Sequence, residues 1–300
     1  MRTLFRWLST WPLWMLHAFG GALGWLSYAL SPSYRQRFDA NAAQAGVPRS
    51  ASRAAVAEAG RLILELPYLW MRPADAPIRP PVGWTGAEHI DAAHRAGRGI
   101  VFLTPHMGSF EVTAQAYAER CGHEHPMTVL YRPARKPWLR DLVDTSRARP
   151  GLAAAPATLA GVRQMIRALR RGEAVGLLPD QVPPEGMGVW APFFGRPAYT
   201  MTLAARLAQQ TGAAVLLAWG ERLPRGRGYR VHVQPFDAVL PAGAGAQAES
   251  AAAINRAMEG LIRQRPQQYL WGYHRYKTPR PAGSAGDAAS DTADSADTKG

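Results

Sequence analysis

Cysteine is almost absent: Cys121 is the only one in 300 residues. No internal disulfide can form, so nothing points to an oxidising compartment, and a four-cysteine zinc site is excluded. Acidic residues are also scarce. The chain has 22 Asp and Glu against 35 Lys and Arg, a formal net charge of +13, and Arg far outnumbers Lys. Such a surplus favours an anionic partner: nucleic acid, an anionic membrane face, a phosphorylated substrate or an acidic carrier protein. Arg suits bidentate phosphate binding, although a GC-rich genome also enriches Arg and Ala. Several signatures are missing. Ser109 does not sit in Gly-x-Ser-x-Gly, so the hydrolase nucleophile elbow is excluded. No P-loop or Gly-x-Gly-x-x-Gly follows a strand. No recognised DNA- or RNA-binding motif occurs and the basic residues are dispersed, which argues against a nucleic-acid partner. Cys121, His123, Glu124 and His125 crowd into one tight turn without a separate fourth ligand. That segment reads as a surface loop, and no metal is expected.

Charge of either sign is missing from residues 7–34, while Arg2 and Arg6 precede that run and Arg35 and Arg37 follow it. About 20 apolar residues span a bilayer core. Ser9, Thr10, Pro12, His17 and three glycines make this run less apolar than a typical span. Trp7, Trp11, Trp14 and Trp25 suit a headgroup boundary. A spanning helix, an interfacial helix, a cleaved signal peptide and a buried core helix all fit. Residues 1–34 are read as a membrane-anchoring helix.

Hydrophobic residues make up 47% of the chain, enough for a sizeable core. Helical spacing over 52–70 brings Val56, Leu62, Ile63, Leu66 and Leu69 to one face. Pro73, Pro77, Pro80 and Pro81 then break the chain. Beyond them, short apolar runs at 99–104, 127–131, 174–179 and 213–219 predict buried strands, and alternation at 229–233 predicts an edge strand. Helices are expected over 108–120, 137–147, 159–171, 200–210 and 251–263. This alternation predicts an α/β fold with a mixed, largely parallel sheet flanked by helices. The organisation that follows is an anchor at 1–34, a helical lead-in at 35–80, a catalytic domain at 81–278 and a disordered acidic tail at 279–300.

The sharpest local pattern is His106-Met107-Gly108-Ser109-Phe110-Glu111, between a buried strand and a helix. Such strand ends are where α/β proteins place their sites. His106 is suited to accept a proton near neutral pH. Glu111, one turn into the helix, is placed to orient it, leaving the other ring nitrogen as a base. A histidine near a strand end and a glutamate serving a helix N-terminus fit the same spacing.

The wider set of segments resembles the lipid A biosynthesis late acyltransferases of the lysophospholipid acyltransferase superfamily. The segments are TPHMGSFE (104–111), VLYRP (129–133), SRAR (146–149), GLLPDQ (176–181), APFFGRPAYT (191–200) and QYLWGYHRYK (268–277). The resemblance implies a glycerolipid acyltransferase-like fold. His106 is then the general base and Glu111 its orienting acid. The donor is a thioester on acyl carrier protein, the acceptor a hydroxyl of a phosphorylated glycolipid, and no cofactor is required. Arg132, Arg147, Arg149, Asp180 and Gln181 form the implied substrate-binding set. From the residues alone, Asp180 also fits a structural role, bonding loop N–H groups after its strand. Phe193, Phe194 and Thr200 read as site architecture. The implied location is the cytoplasmic face of a bacterial inner membrane. The Gly-Ser-Phe-Glu centre departs from the Asn-Trp centre of many members, which leaves the acceptor lipid and the acyl chain length open. Other glycolipid or lysophospholipid acceptors fit the family, and a non-catalytic lipid-binding protein fits the charge.

Overall fold

A computed structural model of the chain describes residues 2–131, 149–243 and 245–281. Four helices come first: α1 (Arg2–Leu8), α2 (Leu13–Leu30), α3 (Pro32–Gln44) and α4 (Arg49–Trp70). Then follow β1 (Gly83–Thr85), α5 (Glu88–Arg95), β2 (Ile100–Leu103), α6 (Phe110–Cys121) and β3 (Met127–Tyr131). After the undescribed stretch come β4 (Leu152–Pro156), α7 (Leu159–Arg170), β5 (Ala174–Leu177), β6 (Gly188–Phe193) and β7 (Arg196–Met201). The last elements are α8 (Leu203–Thr211), β8 (Ala214–Arg222), β9 (Tyr229–Pro235) and α9 (Gln247–Gln264).

The continuous apolar runs become the centre of one seven-stranded sheet, ordered β1-β9-β8-β2-β5-β3-β4. The five strands from β8 to β4 are mutually parallel, and β9 runs antiparallel to β8. All four residues of β2 are buried because both faces of the sheet are covered. Successive side chains point to opposite faces. Ile100 and Phe102 thus join one core with α5, α6 and the end of α4, while Val101 and Leu103 join another with α7, α8 and α9. The expected α/β architecture is present. The segment predicted as an edge strand is not at an edge. The three-residue β1 pairs in parallel along β9 and covers it.

Local chemistry explains the element ends. Glu88 and Asp91 open α5 while His94 and Arg95 close it, as the helix dipole favours. Thr158 caps α7 by accepting from Gly161 N. Gly212, in the left-handed region, ends α8.

Three expectations change. The single N-terminal helix is divided, because Pro12 separates α1 from α2 and Pro32 opens α3. Among the described residues no helix is long and apolar enough to cross a membrane. The helix expected from Thr200 starts at Leu203, since Thr200 and Met201 pair with Val189 and Gly188 in the β6–β7 hairpin. The helix expected over 137–147 and nearly all of the expected tail lie outside the described residues.

Candidate active site

Parallel strands β2 and β5 are neighbours, so the loops leaving their C-terminal ends meet. His106 comes from the first loop and Asp180 from the second. One carboxylate clamps the histidine twice: Asp180 Oδ1 lies 2.7 Å from His106 Nδ1, and Oδ2 accepts from the His106 backbone N–H at 2.8 Å. The clamp fixes main chain and ring together. With Nδ1–H donating to Asp180, Nε2 carries the lone pair that can take a proton. The His106 side chain keeps 17% of its surface exposed, whereas that of Asp180 keeps 1%. The Phe110 ring packs against the imidazole at 4.9 Å between centroids.

Asp180 stays ionised despite its position. Burial pushes its carboxyl upward, but the charge of His106, the two hydrogen bonds from His106 and the charge of Arg275 outweigh it, and the pKa lies below the usual carboxylate range. The buried Tyr269 hydroxyl is raised well above its ordinary value by burial and by the nearby Asp180 charge. It therefore serves the site as a neutral donor.

The turn after His106 depends on Gly108, which has φ +58; a Cβ there would collide with the Gly220 carbonyl oxygen. Its N–H donates to Gln268 O at 2.8 Å, and Ser109 N donates to Gly220 O at 2.8 Å. The chain beyond α9 then closes over the site. Leu270 N donates to His106 O at 3.2 Å, and Met107 pairs with Tyr269. Asn41 on α3 holds this closing segment by donating to Trp271 O and Tyr273 O at 2.7 and 2.8 Å. Arg275, 2% exposed, donates to Tyr199 O at 2.7 Å and Thr200 Oγ1 at 2.8 Å. It thereby ties the closing segment to β7, and its guanidinium lies 5.0 Å over the Phe193 ring.

Each expected residue can now be placed. The carboxylate on His106 Nδ1 is Asp180, where the sequence pointed to Glu111. Asp180 is 74 positions away and local spacing could not find it. Glu111 is half-buried in the first turn of α6, the end of a helix that favours an acidic side chain. Gln181 follows Asp180 and is half-buried. Arg149 turns inward. Its guanidinium donates to Leu69 O at 2.9 Å, Arg72 O at 3.1 Å and Pro73 O at 3.0 Å, tying the end of α4 and the loop after it. Burial, with neighbouring Arg72, lowers it to about 10. That geometry ties it to the fold. Arg132 and Arg147 lie outside the described residues. Phe193, Phe194 and Thr200 do build the wall beside the closing segment. Phe194 N donates to Glu259 Oε1 and Phe194 O accepts from Gln44, both at 2.7 Å. Sequence reasoning missed Tyr269 and Arg275 as neighbours of Asp180. The segment QYLWGYHRYK was conspicuous, but nothing in it named an interior partner. Among the described residues, no cluster of His, Cys, Asp and Glu has metal-binding geometry.

A second polar centre lies behind the Gly108 turn. Arg222 at the end of β8 donates through Nε and Nη2 to the two Glu65 oxygens, each at 2.7 Å. It also reaches Glu58 at 2.6 Å and the Gly108 carbonyl at 3.1 Å. His17 on α2 lies 3.2 Å from Glu65, which burial pushes up but Arg222 and His17 pull down to about 2. The turn carrying His106 is thus braced from inside the protein.

Residues 4–278 match the model of a family described as bacterial lipid A biosynthesis acyltransferase. The chain is 31% identical over 212 residues to the lipid A biosynthesis lauroyltransferase of Escherichia coli K12, covering 69% of this chain and 66% of that protein. It is 28% identical over 227 residues to the palmitoleoyltransferase of the same organism, covering 75% and 71%. A lipid A biosynthesis acyltransferase of Haemophilus influenzae is 25% identical over 186 residues, covering 62% and 56%. The matched segment spans about two thirds of the first of these relatives.

Proposed function

Because the chain belongs to the bacterial lipid A biosynthesis acyltransferases, a family of enzymes, we propose that it moves a fatty acyl chain from acyl carrier protein to a hydroxyl of a lipid A precursor. The observation that carries this reading is the His106–Asp180 pair at the ends of two adjacent parallel strands. In the proposed reaction, Nε2 of His106 takes the proton of the acceptor hydroxyl as its oxygen attacks the thioester carbonyl. Asp180 holds the ring and stabilises the imidazolium that forms. The tetrahedral oxyanion collapses, the carbon–sulfur bond breaks, and the leaving thiolate takes the proton back from the imidazolium. Acyl group and proton are accounted for without a covalent enzyme intermediate. Glu111 and Gln181 border this centre and are proposed to contact the acceptor. Arg132 and Arg147 are proposed to bind its phosphates as guanidinium forks. The basic surplus fits both an acidic carrier and an anionic bilayer at the cytoplasmic face of the inner membrane.

Purified protein mixed with acylated carrier protein and Kdo2-lipid IVA in detergent tests the proposal. The expected product is the lipid plus one acyl chain by mass spectrometry, absent with His106→Ala. No product, with carrier and detergent controls working, sinks the lipid A assignment and moves the search to other glycolipid or lysophospholipid acceptors. Product retained by His106→Ala removes the histidine from the chemistry.

A further inference from the structure

We infer that α1 and α2 lie flat in one leaflet of an anionic bilayer, as an in-plane hydrophobic foot that does not cross the membrane. The inference rests on the membrane-lipid acceptor proposed above and concerns how the enzyme sits against that lipid's bilayer.

One side of α2 is already occupied along its length. Leu13, Leu16, His17, Gly20, Gly21 and Gly24, at helical spacing, are buried. Gly20 and Gly24 meet Gly60 of α4 backbone to backbone: a Cβ on Gly60 would collide with the Gly20 carbonyl and with Gly24. His17 reaches through this contact to Glu65, which is fully buried and tied to Arg222. For α2 to stand across a bilayer, this glycine seam and the His17–Glu65 contact would have to open inside hydrocarbon, or α4 with its ion pair would have to follow it there. Buried charges separated from their partners cost several kcal/mol. Length points the same way. The 18 residues of α2 make a rod of about 27 Å, short of a bilayer core of about 30 Å even if upright.

The opposite side of the same helix is apolar and unoccupied. Trp14, Phe19 and Leu26 are each more than half exposed, and Leu30 is 73% exposed. Trp7 on α1 extends the patch through Trp11, which packs against Trp7 at 4.6 Å and Phe19 at 5.4 Å. A soluble monomer seldom displays an apolar patch of this kind without a partner. Charge selects the partner. Residues 7–34 carry none, Arg6 and Arg35 stand at the two ends, and exposed Arg225 and Arg227 flank Gly226, whose backbone packs against Trp14. An apolar, tryptophan-rich face with these four guanidinium groups at its rim, and Asp39 beside Tyr28 as the acidic exception, matches anionic headgroups above acyl chains. A second copy would bring like charges together at that rim.

The test uses the full chain with phosphatidylglycerol-containing vesicles and no substrate. Wild type should sediment with them, and less so with pure phosphatidylcholine. Phe19→Glu and Leu26→Glu, both on the exposed side, should each weaken binding by roughly tenfold or more, with acyl transfer in detergent unchanged. A Thr3→Cys, Cys121→Ser protein added to sealed vesicles should stay reactive to an impermeant maleimide. Protection until detergent is added would mean that the helix crosses, and would overturn the inference. So would failure to bind vesicles, or a dimer in solution dispersed by Phe19→Glu. A protein that binds vesicles but transfers no acyl chain leaves the in-plane foot standing and removes the proposed reaction alone.

Discussion

His17 with Glu65 and His106 with Asp180 are made of the same two groups, and in both the carboxylate is buried. Their surroundings differ. Glu65 is saturated: it takes two bonds from Arg222, another from Tyr229 at 3.3 Å, and only a long contact from His17 at 3.2 Å. Asp180 gives its two oxygens to His106, at 2.7 and 2.8 Å, while Arg275 adds charge nearby. A carboxylate neutralised by an arginine has little left with which to polarise an imidazole. One whose main partner is the imidazole orients it and stabilises its cation. Exposure separates them again, at 17% for the His106 side chain and 7% for His17. The His106 ring is the more open of the two to solvent.

The largest expected effect tests the catalytic side of this contrast. His106→Ala should lower kcat/KM per folded molecule by about 10²–10⁴-fold. Asp180→Asn should follow closely. It frees the ring to adopt the wrong tautomer, and the fall should lie mainly in kcat; a loss confined to KM would mean that Asp180 binds substrate instead. The structural side should respond in the other coordinate. Glu65→Gln leaves the buried Arg222 with Glu58 alone to balance its charge, costing up to roughly 3–5 kcal/mol in denaturant unfolding, while kcat per folded molecule should survive far better than in Asp180→Asn. A smaller effect is a pH dependence shared by both pairs. Glu65 and Asp180 have lowered pKa values in the folded protein. Their stabilisation is therefore complete above the ordinary carboxylate pKa and disappears as pH falls through the lowered values, to about 2 for Glu65. Urea midpoints should drop between about pH 4.5 and 2, and less steeply in Glu65→Gln. The smallest change is His17→Asn, expected to cost under about 1.5 kcal/mol because its contact is long and Arg222 already satisfies Glu65. A larger loss would make the two pairs more alike than their geometry shows.

What the sequence disclosed follows the same division between local and distant. Strands β2, β5 and β8 were legible because both their faces are buried, which writes them as unbroken apolar runs. The hairpin of β6 and β7 was not, since Pro192, Gly195 and Pro197 interrupt any alternation. Strand β4 reads Leu-Ala-Ala-Ala-Pro and has almost no strand-forming residues; β3 supplies its context. His106 was legible from its strand end. Its partner was not, because the fold alone brings Asp180 to it. Arg149 reads as a substrate contact in the sequence, and nothing local to it tells of the carbonyls of Leu69, Arg72 and Pro73 that converge on it.

The closing segment bears on how the protein comes into being. His106 and Asp180 emerge from a growing chain before the residues that cover them, 268–275, which come after α9, and Asn41 waits 230 positions for Trp271. Contacts of such long separation form late, since they close the largest loops. A nascent or prematurely ended chain therefore carries His106 and Asp180 without the wall that organises them. The proposed acyl transfer then waits on synthesis of residues 268–275.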